Sequence, residues 1–167
     1  MLIRQLNPSD AKSYRELRLE GLKFHPDAFG ASYEEEKNKP LSLYEGRFQS
    51  DQSYTFGAFV EGELVGVVTL LLESAMKMKH RANIVAMYVT SSVRGQGIGK
   101  QLLLTALTQA KQLSTIEQVH LTVVSTNQAA KKLYESVGFQ SYGIEKRALK
   151  IGDAYIDEEL MVKYLIK

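Results

Sequence analysis

Val89-Thr90-Ser91-Ser92-Val93-Arg94-Gly95-Gln96-Gly97-Ile98-Gly99-Lys100 is the stretch on which the reading of this chain turns. An apolar strand runs into a turn with three glycines, and an amphipathic helix follows to about Leu113. Glycines let backbone N–H groups approach a ligand at close range. A helix start adds unpaired donors and the positive end of a dipole. Together they predict an anion site, with Arg94 and Lys100 beside it. Two other phosphate-binding turns do not fit. A P-loop would need glycine at 94 and serine or threonine at 101, where the chain has Arg94 and Gln101. A dinucleotide fingerprint would need glycine where Lys100 stands, and no acidic residue closes the next strand.

The flanks read as alternating strands and helices. Leu2 to Leu6 alternates as a strand, Asn7-Pro8 caps a helix, and Ala11, Tyr14, Leu17, Arg18 and Leu22 follow at helical spacing. Asp27 to Asp51 is polar and loop-like, with one or two short helical pieces. Tyr54 to Val60 and Leu64 to Leu72 are strands joined at Glu61-Gly62-Glu63. Ser74 to Arg81 is a basic loop, and Ala82 to Val89 is the next strand. Val119 to Val124 is a short strand, and Asn127 opens a helix that Gly138 stops. A last hairpin pairs Phe139 to Lys150 with Tyr155 to Leu165 around Gly152-Asp153. The expected class is α/β (α+β), with one domain over residues 1–167.

Composition narrows the function. The net charge is +2 with no lysine/arginine run, too little to argue for a nucleic-acid partner, and none is expected. There is no cysteine, so disulfides, thiolate metal sites and a cysteine nucleophile are all removed. The three histidines, His25, His80 and His120, are far apart, and no metal is expected. The longest apolar stretch, Leu64 to Leu72, is too short to cross a bilayer, and Met1 to Gln5 is too polar for a signal peptide. A cytoplasmic protein with no membrane partner is expected.

Asn127-Gln128-Ala129-Ala130-Lys131-Lys132-Leu133-Tyr134-Glu135-Ser136-Val137-Gly138-Phe139 matches N-x-x-A-x-x-L/F-Y-x-x-x-G-F at every fixed position. Arg94 to Gly99 matches [QR]-x-x-G-x-[GA]. Both patterns, in this order and one strand apart, resemble the GNAT superfamily of N-acetyltransferases, specifically over about Ile84 to Phe139.

The resemblance implies a mixed, mostly antiparallel seven-stranded sheet flanked by about four helices. It implies acetyl-CoA as cosubstrate, without metal, and direct transfer of the acetyl group to a primary amine in a ternary complex. Main chain of Met87 and Val89, with Tyr88 between them, should run beside the pantetheine arm. The N–H groups of Arg94, Gly95, Gln96, Gly97, Ile98, Gly99 and Lys100 should hold the pyrophosphate. Asn127 reads as an N-cap and as a contact to the arm, and Ala130 as space for it. Tyr134 reads either as a core aromatic or as the donor that meets the departing thiolate.

The chain departs from the pattern on the strand before the turn. Ala82 to Val89 has no carboxylate where many relatives keep a general base. Glu34, Glu35, His80, Asn83, Asp157 and Glu158 are the alternatives. Phe29, Tyr33 and Glu34 are the expected substrate contacts, with a small amine or a peptide as acceptor. A homodimer is compatible with this reading. The rival readings are a non-catalytic acyl-CoA-binding module and a protein or peptide N-acetyltransferase.

Overall fold

The strand-like segments of residues 53–89 fold into three antiparallel strands, β2 (Ser53–Val60), β3 (Glu63–Leu72) and β4 (Arg81–Val89). A short strand, β1 (Leu2–Gln5), lies along the outer side of β2. β5 (Gln118–Val124) joins β4 in parallel, and the hairpin of β6 (Gln140–Ile151) and β7 (Ala154–Tyr164) completes the sheet. The order is β1-β2-β3-β4-β5-β7-β6 in this computed structural model, which describes residues 1–166. Lys167, the last residue of the expected domain, lies outside the described residues.

Five helices flank the sheet: α1 (Ala11–Phe24), α2 (Tyr33–Glu36), α3 (Leu41–Gln49), α4 (Ile98–Gln112) and α5 (Gln128–Ser136). The polar segment after α1 supplies two of them. Asn7 is a cap as the sequence predicts, but it caps a 3-10 turn, and α1 itself starts only at Ala11, with Asp10 at its N-cap. Asn7 accepts from the Ser9 N–H at 3.0 Å, and the Asp10 carboxylate accepts from the Asn7 N–H at 2.8 Å. Pro8 begins a 3-10 turn that leads into the α-helix. No helix of the described residues is long and apolar enough to cross a membrane.

Two apolar layers hold the sheet between helices. On one face Leu102, Leu103 and Ala106 of α4, all fully buried, pack with Val68, Leu70 and Val119. Each large side chain removed from water in this way stabilises the fold by about 1.5–3 kcal/mol. On the other face Tyr14 of α1 meets Phe48 of α3 edge-on, with ring centroids 5.2 Å apart. Tyr44, wholly buried beside them, donates to Glu36 at 2.6 Å. That bond satisfies a phenol and a carboxylate that would otherwise be costly to bury.

The feature that matters for function is a gap in the sheet. β4 and β5 pair only at Arg81, Ala82 and Asn83 against Gln118, Val119 and His120. Beyond these residues β4 stays with β3 as far as Val89, and β5 stays with β7 as far as Val124. With no ladder joining them past Asn83 and His120, the two parallel strands part. A bulge in β4 accompanies the divergence: Ala86 sits at φ 53°, and the register against β3 shifts there. A positive φ is strained for a residue with a Cβ.

Candidate active site

The Thr90 N–H donates to the Val65 carbonyl in β3 at 2.9 Å. Main-chain groups alternate sides along a strand, so those of Val89, and of Met87 before it, face the gap toward β5. This edge, which makes no ladder bonds to β5, opens into a cavity of about 500 Å³. Met87, Tyr88 and Val89 line one wall, and Thr122 to Val124 of β5 face them. The turn, the start of α4 and α5 complete the lining.

The turn is shaped for an anion. Gly95 and Gly97 adopt φ 80° and 78°, in the left-handed region, and a Cβ on either would meet nothing within 4 Å. Gly97 caps α4, whose first intrahelical bond runs from Gln101 N–H to Gly97 carbonyl at 3.1 Å. The N–H groups of Ile98, Gly99 and Lys100 are therefore left over at the helix start. Gly99 serves packing instead: a Cβ there would lie 3.3 Å from Met87 Cε and 3.4 Å from Leu133 Cδ2. Gln96 is the one residue of the turn from Arg94 to Lys100 that does not line the cavity.

Arg94 and Tyr88 brace the mouth. Arg94 Nε donates to the Val89 carbonyl at 2.9 Å, and Nη2 reaches His25 Nε2 at 3.3 Å. The guanidinium lies 5.5 Å from the Tyr88 ring centroid. The Tyr88 hydroxyl donates to Glu20 Oε1 at 2.9 Å, and the Thr90 hydroxyl donates to the same oxygen at 2.6 Å. Burial, together with the Glu20 bond, pushes the Tyr88 phenol up to about 12. A half-buried carboxylate on α1 thus ties down both residues that lead into the turn.

α5 brings the second motif to the same cavity. The Asn127 side chain accepts from the Ala130 N–H at 3.1 Å and so caps the helix. Its side-chain amide N–H groups have no partner among the described residues, and Asn127 also lines the cavity. Ala130, Leu133 and Tyr134 face inward. Lys131 on this helix pairs with Glu159 of β7 at 2.5 Å, which anchors α5 to the sheet. Burial alone pushes the Tyr134 phenol up to about 12, so it stays protonated through the neutral range.

A second cavity of about 230 Å³ adjoins the first. Ala28, Phe29, Met87, Thr122 and Tyr134 line both. Arg18 of α1 and Glu158 of β7 belong to the second alone. Of the substrate contacts expected from sequence, Phe29 lies on both linings. Tyr33 and Glu34 lie on neither, because the Ser32–Glu35 capping box starts α2 outside the cavities and Glu34 pairs with Lys37.

Among the base candidates only Glu158 reaches a cavity. Glu35 bonds Ser32, and Asn83 donates to Glu73 at 2.9 Å. Asp157 accepts from the Arg147 N–H at 2.8 Å. His80 lies in the turn before β4 and on neither lining. Arg18, Glu20, His25 and Thr122 were not singled out from sequence. Arg18 did leave a signal, as a charged residue at an apolar position of the α1 stripe.

A splayed strand edge leads here from a glycine-rich helix start to a buried phenol. The chain belongs to the acetyltransferase (GNAT) family, whose model matches residues 19–139. It is 30% identical over 138 residues to N-alpha-acetyltransferase 30 of Homo sapiens, covering 81% of this chain and 38% of that protein. The chain thus spans well under half the length of that relative. An acetyltransferase of the GNAT family from Streptococcus pneumoniae superposes with TM-score 0.81 at 26% identity, covering 98% of this chain and 99% of the other. The structure of yncA from Salmonella typhimurium with its cofactor acetyl-CoA superposes with TM-score 0.87 at 17% identity, covering 100% and 95%. That last likeness is one of fold.

Proposed function

We propose that this protein transfers an acetyl group from acetyl-CoA to a primary amine by direct attack in a ternary complex. The observation that carries the reading is the continuity of the two cavities at Tyr134. One, of about 500 Å³, has strand-edge groups and helix-start donors for a pantetheine arm and its pyrophosphate. The other is small and reaches the same phenol from another side.

The residues fit this cosubstrate. Met87 and Val89 offer main-chain groups to the arm, as a strand would to an added strand. The turn from Arg94 to Lys100 holds the pyrophosphate, with Arg94 and Lys100 as cations. Asn127 offers its amide, and Ala130 leaves room. Acetyl-CoA supplies an acyl group already activated as a thioester. Tyr134 donates to the sulfur as negative charge gathers there, which favours the transition state over the ground state. Phe29 forms the wall between the cofactor and acceptor sides. Holding both substrates in one cleft supplies much of the rate without an acyl-enzyme.

Initial-rate kinetics with varied acetyl-CoA and amine test this. Intersecting double-reciprocal lines are expected, together with acetyl-CoA binding by calorimetry in the presence of chelator. Parallel lines, a stable acetylated protein by mass spectrometry, or binding that requires a divalent ion would overturn it.

A further inference from the structure

We propose that the second cavity selects an acceptor with a free carboxylate beside its amine: a small amino acid, in preference to a peptide N-terminus or a simple amine. This rests on the transferase reading above. Two opposite charges face this cavity, and neither is fully matched within the protein. The Arg18 guanidinium, with its side chain 15% exposed, has one ionic neighbour, Glu36, at 3.6 Å. Glu36 is already engaged by the Tyr44 hydroxyl at 2.6 Å and by Lys39 at 3.4 Å. Two cations around one carboxylate leave a net positive charge at the Arg18 end. The guanidinium also lies 5.3 Å from the Phe29 ring centroid, which turns it along the cavity wall.

Glu158 is half-buried, and its side chain has no hydrogen bond or ion pair among the described residues. Its neighbour across the hairpin is Glu145, a like charge. An unmatched charge in a confined site is costly, and a ligand that neutralises it is favoured. One cation and one anion on the same small cavity fit a zwitterion, with the carboxylate at Arg18 and the amine at Glu158. A cavity of about 150 Å³ takes benzene, so this one has room for an amino acid of modest size. Ile84, Val85 and Leu121 give it an apolar remainder for the side chain. A peptide N-terminus would present a neutral carbonyl where Arg18 calls for an anion, and a simple amine would present nothing.

The chemistry balances. The amine nitrogen attacks the thioester carbonyl carbon; the C–N bond forms, the C–S bond breaks, and its electron pair goes to sulfur. The ammonium brings three protons. One passes by Glu158 to water before attack. Tyr134 gives its proton to sulfur and regains one from the nitrogen through water. The third proton stays on the amide.

The test is a matched acceptor panel: a free apolar amino acid, its C-terminal amide, the corresponding decarboxylated amine, and a tetrapeptide with the same first residue. The free acid should exceed the others in kcat/KM by about tenfold to hundredfold, the worth of a charge-assisted hydrogen bond. Arg18→Gln should remove that preference by raising KM for the acid at least about tenfold more than KM for the amide. Arg18→Lys, which keeps the charge, should retain the preference in the same direction and guards against a loss of fold. Equal or better use of the amide or peptide, no use of any free acid, or an equal effect of Arg18→Gln on all four acceptors would overturn the proposal. Acetyl-CoA binding with transfer to the peptide alone would sink this inference and leave the transferase reading intact. Absence of acetyl-CoA binding would sink both.

Discussion

Tyr134 of α5 packs edge-on against Phe139, with ring centroids 6.1 Å apart and planes at 67°. The contact fixes the ring, while the hydroxyl has no hydrogen-bond partner among the described residues and the residue lines both cavities. A buried phenol held by its ring alone is free to donate to whatever enters the cleft.

Tyr134→Phe keeps that ring contact and removes the donor. Turnover is expected to fall by about 10²–10⁴-fold, the usual worth of general acid assistance. Acetyl-CoA affinity, read by calorimetry, should change by less than about threefold, because the donor acts mainly on the transition state. With the phenol pushed up to about 12, its protonated form persists through neutral pH. A basic limb near neutrality in the rate profile would therefore report the amine or another group. Near wild-type turnover in the Phe variant would reduce Tyr134 to packing.

Gly97→Glu should weaken acetyl-CoA binding by at least about hundredfold, whereas Lys100→Ala should cost less than about fivefold, since exposed ion pairs contribute little. Glutamate at position 97 would carry like charge toward the pyrophosphate and strain a backbone at φ 78°. Titration of each variant separates a main-chain cradle from a side-chain one. Equal losses would contradict the cradle.

Glu20→Ala removes the acceptor shared by Tyr88 and Thr90, at 2.9 and 2.6 Å. Two partly buried hydrogen bonds to a charged group suggest a loss of about 1–3 kcal/mol in stability. Affinity for acetyl-CoA should fall as well, because the end of β4 would no longer be tied to α1. Denaturant unfolding and calorimetry together test this. A stability loss with unchanged affinity would show that the tie does not organise the turn.

Two carboxylates make the fold sensitive to acid. The Arg4 hydrogen bonds hold Asp10 below its ordinary range. Burial works to raise Glu36, but the Tyr44 bond and the charges of Arg18 and Lys39 outweigh it and leave it lowered. A group depressed in the folded state contributes stability above its unfolded value and loses it as pH falls through the folded one. Thermal unfolding should therefore show a melting temperature that is level from neutrality to about pH 5 and then declines steadily. Glu36→Gln should be less stable at pH 7 and show a shallower acid decline. An unchanged slope would mean that Glu36 does not contribute to it.

Much of this protein is set by local sequence. The apolar run of Leu64 to Leu72, the Asn7-Pro8 cap and the stripe of α5 are properties of neighbouring residues, and each element forms close to where its pattern lies. The same holds for the glycine turn, since Gly95 and Gly97 occupy backbone angles disfavoured for residues with a Cβ. Both motifs are contiguous, so family and cosubstrate could be read from them. The acceptor side could not. Arg18, Phe29, Glu158 and Tyr134 come from three helical or loop segments and the last hairpin, and only the fold brings them around one cavity. Nothing local distinguishes Glu158, which faces that cavity, from Glu159, which pairs with Lys131 at 2.5 Å. The two differ by one position in a strand and so point to opposite faces of the sheet. Which face meets the cleft depends on the register of β7 against β5, and on β4 and β5 parting after three paired residues. Register and splay arise from contacts between segments distant in the chain, so only the tertiary structure decided them.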